Sequence, residues 1–545
     1  MNWYALKRQL NGWAILSFIA LVFIVLPGVV VLVELFAPVN ENWQHIREYL
    51  LPTYVRNTLF IMLATGLLTT IIGTSLAWFV TVYDFPFRRF FKWALILPLA
   101  IPPYIGGYTY HGILNYTGVI QTTLRNEFGI TVDQTYFNIM TIQGTVFIFT
   151  LFLYPYIYTI TRAFLHNQSS SMIENARILG RGSWDIFFTV VIPISRVAII
   201  GGVSLVLMEV LNDYGVVKYF GIQTFSTAIF STWFGMKDTS SALKLAGTLM
   251  ILVIAILTME RLVRGRKQFS YATTKVKPLK PRHLTGWHRY AVFGYVATIF
   301  AVAFLIPFMQ LVAWTVLTFE QVFTAEFFRL VWNTVSVAFI ATVIILVFAL
   351  IIANYTRLFP SNMTRVISKV TTLGYSIPGA AIAIAVITLF LLLDEWVLNV
   401  ALALDLGQTF VFRTTLIMLI FAYVIRFLAI GYNSIESGFE KVGKSFTEAS
   451  RMLGWGTVQT FFRVDIPMIK GAIMSAFILV FIDIMKELPL TLFLQPFNFS
   501  TLATQAFKYV SDEKIHEAAL ASIVIVLMSG LLIFVFHKVL DKEAD

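Results

Sequence analysis

Apolar runs of about twenty residues recur along the whole chain, separated by short polar segments. In the first half they lie near 14–36, 57–82, 92–114, 142–164, 194–212 and 243–263. In the second half they lie near 290–317, 332–354, 368–393, 411–433, 469–487 and 517–538. Each is long enough to cross the hydrocarbon core of a bilayer as a helix. The pattern predicts an all-α integral membrane protein with about twelve transmembrane helices, six per half. The run from Ala14 to Phe36 follows Lys7 and Arg8. It is too long for the apolar region of a signal peptide, and no small-residue cleavage site follows it. It is read as a retained first span.

Composition agrees. Hydrophobic residues make up 58% of the chain and charged residues 13%. A soluble fold needs about twice that charge to cover its surface. The formal net charge of +11 does not indicate nucleic-acid binding, because the charges sit in short segments between the apolar runs. Such segments orient a membrane protein with its basic loops inside. Arg88, Arg89 and Lys92 mark one cytoplasmic segment, and Arg357, Arg365 and Lys369 mark another. Residues 261–289 carry nine Lys and Arg and no acid. The opposite loops hold Glu41, Glu48, Asp394, Glu395 and Asp405. Twelve spans and two cytoplasmic termini satisfy this asymmetry. Residues 265–288, with Pro278 and Pro281, then form a basic cytoplasmic linker between residues 1–264 and 289–545. The absence of Cys excludes disulfides and thiolate metal sites.

The two halves repeat one another. Arg56-Asn57-Thr58-Leu59 opens the second span, and Trp332-Asn333-Thr334-Val335 opens its counterpart. Ile101-Pro102 recurs as Ile377-Pro378. After each fourth span the match is closest: Glu174-Asn175-Ala176-Arg177-Ile178-Leu179-Gly180 then Ile192-Pro193, against Glu448-Ala449-Ser450-Arg451-Met452-Leu453-Gly454 then Ile466-Pro467, with equal spacing. Six helices per half give both repeats one orientation, so a pseudo-two-fold axis is expected along the membrane normal.

The repeated loop, about 165–193 and again about 434–467, is patterned. Met172–Leu179 reads as a short helix with Ile173, Ala176 and Leu179 on one stripe. Gly180 and Gly182 suit a turn with positive φ. Trp184–Val191 reads as a second helix, and Pro193 suits the opening of the next span. Helix, glycine corner and helix would make a knob able to pass a push from a soluble partner to the fifth span. The alternative is an interfacial helix resting on lipid headgroups. Two copies at matched spacing favour the knob.

This pattern, Glu-x-Ala-x-x-x-Gly followed at fixed distance by Ile-Pro, resembles the "EAA" loop of permease subunits of ATP-binding-cassette importers. The resemblance covers nearly the whole chain, as two permease domains fused in one polypeptide. It implies ATPase-coupling roles for Glu174, Ala176 and Gly180 and for Glu448, Ala449 and Gly454. Half one departs with Asn175 and half two with Ser450. The implied partners are a dimer of ATP-binding-cassette ATPase subunits, which use ATP and Mg²⁺, and a periplasmic binding protein. No cofactor is expected in this chain. The implied location is the bacterial inner membrane.

Gly438-Phe439-Glu440-Lys441-Val442-Gly443-Lys444-Ser445 fits the pattern of a nucleotide-binding P-loop. That mechanism needs a strand before the loop and a helix after it. Here an apolar span precedes it and the patterned loop follows, so the match is read as spurious and no ATPase activity is expected of this chain.

The stretch from Asp483 to Ala503 points to a substrate. Lys486-Glu487-Leu488-Pro489-Leu490-Thr491 and Pro496-Phe497-Asn498-Phe499-Ser500-Thr501-Leu502-Ala503 resemble ferric-iron permeases, with Gln495 where that family often has Arg. Glu209-Val210-Leu211-Asn212-Asp213-Tyr214-Gly215 resembles them in half one. Ferric iron is a hard cation suited to oxygen ligands. Glu209 and Asp213 match Asp483 and Glu487 in the repeat, so the four carboxylates are candidates to line the translocation path with Lys486. Ionisable groups within spans usually face an interior path. The other reading is an ion-paired structural helix end. Even on the path they are expected to screen iron without binding it tightly. The histidines are scattered and form no metal constellation. Pro98, Pro102 and Pro103, and Pro378, are expected to break the third and ninth spans, as gate elements or as kinks that permit packing. A fused permease for thiamine, polyamine or organophosphonate is the nearest alternative. An ion-coupled secondary transporter gives no reason for two coupling loops. For a membrane-bound enzyme there is no cluster of nucleophile, base and metal ligands.

Overall fold

The computed structural model describes residues 12–166, 171–264, 281–374, 377–405 and 411–544. Among these, ten helices are long and apolar enough to cross a membrane, and twelve if each of two sharply bent helix pairs is one span. The expected spans are all represented. The third is bent by 92° between Arg88–Ala100 and Pro103–Phe128. Pro102 and Pro103 have no N–H to continue the helix, and Pro102 leaves it at ψ 143°. The eleventh begins at Lys470 after a 74° bend from Thr457–Met468. In half two the break of the third span's counterpart falls between Asn362–Leu373 and Gly379–Ala403, and Pro378 is the N-cap of the latter.

The halves are interlocked. The first span, Gly12–Leu35, packs on Thr239–Arg264 of its own half and on Ala325–Leu358 and Gly379–Ala403 of the other. Its counterpart, Trp287–Val322, lies against Pro103–Leu114 of half one and Ala518–Ala544 of half two. Polar contacts fix these crossings: the hydroxyls of Ser75 and Tyr295 are 2.7 Å apart, and Tyr110 OH donates to the Val302 carbonyl. A two-residue strand, Arg282–His283, pairs in parallel with Tyr83–Asp84. His283 Nδ1 is 2.9 Å from Asp84 Oδ2. Residues 265–280 of the expected linker lie outside the described residues.

Lys244, 1% exposed, ends the first span. Its Nζ donates to the carbonyls of Glu34, Ala37 and Pro38 at 3.1, 2.7 and 3.2 Å. A helix leaves its last carbonyls unsatisfied, and an ammonium suits the negative end of its dipole. Lys244→Met is expected to cost about 1–3 kcal/mol through the orphaned carbonyls. Thermal unfolding of the purified protein measures this, and an unchanged midpoint contradicts it.

The stretches after the fifth and eleventh spans are not plain loops. Each instead holds two short helices: Gly215–Tyr219 and Phe225–Phe234, then Pro489–Leu494 and Leu502–Ser511. The Asn-Thr repeat pins them. Asn57 Nδ2 donates to the Gln223 carbonyl at 2.9 Å, and Asn333 Nδ2 to that of Ser500 at 3.1 Å. Thr58 Oγ1 accepts from Phe225 N–H at 3.4 Å, and Thr334 Oγ1 from Leu502 N–H at 2.8 Å. Thr224 with Thr227, and Thr501 with Thr504, form capping boxes there.

Candidate functional site: a charged cleft and two projecting loops

The fifth span, Ile192–Asn212, ends where Asp213 turns to extended backbone at ψ 132°. The Asp213 carboxylate then accepts from Val216 N–H at 2.9 Å, at the start of the next short helix. Half two repeats the device one repeat later. Glu487 Oε1 accepts from Leu490 N–H at 3.1 Å, and Oε2 from Thr491 N–H at 3.2 Å and Thr491 Oγ1 at 3.3 Å. A carboxylate at a helix N-terminus satisfies donors that the helix itself leaves open. Lys486 Nζ pairs with Asp483 Oδ1 at 3.0 Å, one turn apart. Asp213 and Glu487 thus build helix ends, and they line one space with Glu209, Asp483 and Lys486.

That space is a cleft of about 90 Å³ between the halves, bounded by all five expected path residues, Glu209, Asp213, Asp483, Lys486 and Glu487. The two elbows meet there. A Cβ on Gly215 would lie 3.0 Å from Leu488 Cδ2 of the other half and 2.5 Å from Tyr104 Cβ. Pro102 and Pro103 of the broken third span line the cleft as well. Among the described residues no three His, Asp or Glu side chains group to hold a metal ion. His111 is occupied by the Tyr219 hydroxyl at 2.5 Å.

Sequence reasoning missed Arg426. It lines the cleft, is 7% exposed, and its Nε and Nη1 have no hydrogen-bond partner. The fourth span of half one has Phe152 at the equivalent position, on the same cleft. The signal was present: Arg426 is a lone charge inside the apolar run 416–431. Gly379 makes room for it, since a Cβ there would collide with Arg426 Nη1 and lie 3.6 Å from Glu487 Oε1.

At the other end of the fifth and eleventh spans stand the repeated loops. They consist of Ser171–Ile178 and Ser183–Ile186 in half one, and of Ser445–Met452 and Thr457–Thr460 in half two. Gly180 and Gly454 join them at φ 78° and 88°. Arg181 N–H reaches the Ala176 carbonyl at 3.1 Å, and Trp455 N–H that of Ser450 at 3.4 Å, closing the same turn twice. Nothing lies within 4 Å of a Cβ built on either glycine, so backbone conformation and not space requires them. Gly182 does not share this role: with φ −68° it is the N-cap of Ser183–Ile186. The apolar side chains of this helix are unevenly covered. Ala176 is half-buried, but Leu179 is 82% exposed beside Ile178 at 82%; the Ile173 side chain lies outside the described set. Met452 and Leu453 are likewise 90% and 80% exposed. Each knob thus presents two apolar tips flanked by an exposed Glu174 or Glu448. Ala449 is exposed; the residue equivalent to Ala176 is Ser450, buried with its hydroxyl 3.0 Å from Thr460 Oγ1.

The knobs differ beneath their tips. In half two Arg357 Nη2 pairs with Asp465 Oδ1 at 3.0 Å, and Thr447 Oγ1 donates to Asp465 at 2.6 Å. Arg357 also donates to Thr447 Oγ1 at 3.1 Å and sits 4.2 Å over the Phe439 ring. This ties the loop to the helix Ala325–Leu358. Half one has Thr81 and Val191 at the equivalent positions. The P-loop-like stretch lies beside this tie. Residues 438–442 are the end of the helix Leu416–Val442, and Gly438 is packed on Ala472, so no strand leads into it.

Both halves match one family. The description Binding-protein-dependent transport system inner membrane component fits residues 70–260 and again 345–545. The chain belongs to this family. Its members are transport permeases of the inner membrane, which agrees with the multi-pass helical fold. The Fe(3+)-transport system permease protein FbpB 2 of Haemophilus influenzae is 25% identical over 88% of this chain and 89% of its own length. The ferric transport system permease protein FbpB of Actinobacillus pleuropneumoniae is 23% identical over 96% of this chain and 77% of its own. The molybdenum transport system permease protein ModB of Escherichia coli is 27% identical, over 35% of this chain and 82% of its own. The ferric relatives thus span both repeats, and the molybdenum relative about one.

Proposed function

We propose that this chain is the permease of an ATP-binding-cassette importer and forms the translocation path for ferric iron. The observation that carries the reading is a relationship running end to end through both halves with ferric permeases, joined to a cleft between the halves that is lined by four carboxylates. Oxygen-rich, anionic walls suit a hard cation, and the lack of converging ligands suits passage over storage. A periplasmic ferric-iron-binding protein delivers the cargo. A dimer of separate ATPase subunits uses ATP and Mg²⁺ and seats one knob in each subunit, through Glu174, Ala176 and Gly180 and through Glu448, Ala449 and Gly454. This chain needs no cofactor and hydrolyses no ATP, and both its termini face the cytoplasm.

Glu487→Gln keeps the shape of the helix end and removes the charge. Iron uptake by cells carrying the complete system is expected to fall about tenfold, the effect of losing one charged hydrogen-bonding group. Protein level and co-purification with the ATPase are expected to stay unchanged. Full uptake in the variant removes Glu487 from the path. Excess thiamine, polyamine or organophosphonate is expected to leave wild-type iron uptake intact; competition by any of them contradicts a path dedicated to iron.

A further inference from the structure

A cavity of about 990 Å³ lies at the knob end of half one, between the second span, the first knob and the first helix of half two. Its walls include Phe79, Trp184, Phe187, Phe188, Trp287 and Val292. The hydroxyls among them are already engaged. Thr70 donates to the Gly66 carbonyl at 2.6 Å, Thr74 to that of Thr70 at 2.5 Å and Ser75 to that of Ile72 at 3.0 Å, and the Tyr295 hydroxyl is 2.7 Å from that of Ser75. Ordered water needs roughly two to four polar partners, which these walls do not offer. The rim faces outward, since Ile71, Trp184, Phe188 and Trp287 are each more than half exposed. In a membrane such a rim is met by acyl chains.

The cavity is one-sided. Leu10-Asn11-Gly12-Trp13 and Leu284-Thr285-Gly286-Trp287 open the first spans of the two halves. Trp13 closes on Phe461 of the second knob, with ring centroids 4.8 Å apart. Phe187 is the equivalent of Phe461. Trp287 turns instead to His288, 4.4 Å away, and both Trp287 and Phe187 become walls of the cavity. Cations flank the opening. Arg282 and Arg289 are exposed, on either side of Leu284 and His288, which line it. The acids next to this wall are spent: Asp84 pairs with His283 at 2.9 Å and Asp185 with Arg181 at 2.7 Å. Trp287 and Tyr290 are exposed beside the arginines, and such aromatic residues favour the headgroup level of a bilayer.

We propose that this cavity holds a resident anionic phospholipid of the inner leaflet, with an acyl chain among the aromatic side chains and the phosphate at Arg282 and Arg289. The lipid takes the place that the contact of Trp13 with Phe461 fills at the other knob, and it wedges the first knob against the first helix of half two. Basic pockets between helices on the cytoplasmic side recognise headgroups of this charge. The inference takes the cytoplasmic side of the knobs from the reading above and does not depend on the cargo.

The test uses the full chain, purified and stripped of lipid in detergent, then titrated with phosphatidylglycerol or phosphatidylcholine and read by native mass spectrometry. Phosphatidylglycerol is expected to stay as a single tightly held molecule, and phosphatidylcholine to be lost. Arg282→Gln with Arg289→Gln is expected to weaken retention about thirtyfold, the effect of two charges near a headgroup. Ala291→Trp fills the cavity from the first helix of half two without removing a charge, and it is expected to abolish retention. Equal retention of both lipids overturns the proposal, because the cavity then takes any lipid as solvent. Undiminished retention in Ala291→Trp overturns it too, because the lipid then binds elsewhere. No retention by the wild type also overturns it, the result expected if residues 265–280 of this chain fill the cavity. The wild-type comparison and the surface arginine variant stand even if Ala291→Trp fails to fold. Loss of iron uptake with lipid still retained bears on the ferric reading alone and leaves this inference standing.

Discussion

Asp465→Ala is expected to destabilise the protein by about 3–5 kcal/mol, the cost of leaving one partner of a buried ion pair alone. Asp465 and Arg357 are 4% and 9% exposed, and Asp465 accepts from both Arg357 and Thr447. With the carboxylate gone, Arg357 keeps only Thr447 and the face of Phe439. The double variant Arg357→Met with Asp465→Leu replaces both charges by apolar groups, and it is expected to recover most of the loss. Thermal unfolding of the purified protein gives both numbers, and their difference gives the coupling between the two residues. The pair also joins the second knob to the helix Ala325–Leu358. The single variant is therefore expected to bind the ATPase yet transport poorly. The matching pair in half one, Thr81 and Val191, offers no such tie. Val191→Ala is expected to leave that balance between binding and transport unchanged.

The second large effect concerns the tips of the knobs. Leu179 and Leu453 touch almost nothing in this chain, so changing them does not threaten the fold. Exposed apolar side chains on a rigid projection are suited to fill a pocket in a partner. Leu453→Asp is expected to weaken ATPase binding by at least about thirtyfold, the effect of losing a central interface anchor. Leu179→Asp together with Leu453→Asp is expected to abolish the complex: on the proposed reading both knobs engage one dimeric partner, and the second contact is gained at high effective concentration. Co-elution on size exclusion measures this. A stable complex in the double variant shows that the ATPase binds elsewhere.

Much of this organisation was legible in the sequence, for physical reasons. Length and apolarity decide whether a helix spans a membrane, so all twelve expected spans have helical counterparts. Gly180 and Gly454 were legible because positive φ is required there and glycine supplies it. The carboxylates of the cleft were legible because charge inside an apolar run is rare. What was missed depends on packing across the repeat. Phe225–Phe234 and Leu502–Ser511 are too short to read as spans, and their anchors, Asn57 and Asn333, are more than 160 residues away in sequence. The Asn-Thr repeat was visible, but its task was not. Gly182 looked equivalent to Gly180, yet one is an N-cap and the other a left-handed turn. Arg426 carried the same signal as Glu487. It lay in a span rather than near a recognised motif, and only its place beside Gly379 and the cleft gives it meaning.

We propose that a separate ATPase, acting through the two knobs, drives iron through this chain. Ferric uptake into proteoliposomes tests it most directly, with the chain alone and then with the ATPase, ATP, Mg²⁺ and the charged binding protein added in turn. Accumulation is expected only when all are present. Accumulation by the chain alone under an ion gradient, or ATP hydrolysis by the chain without the separate subunit, would contradict it.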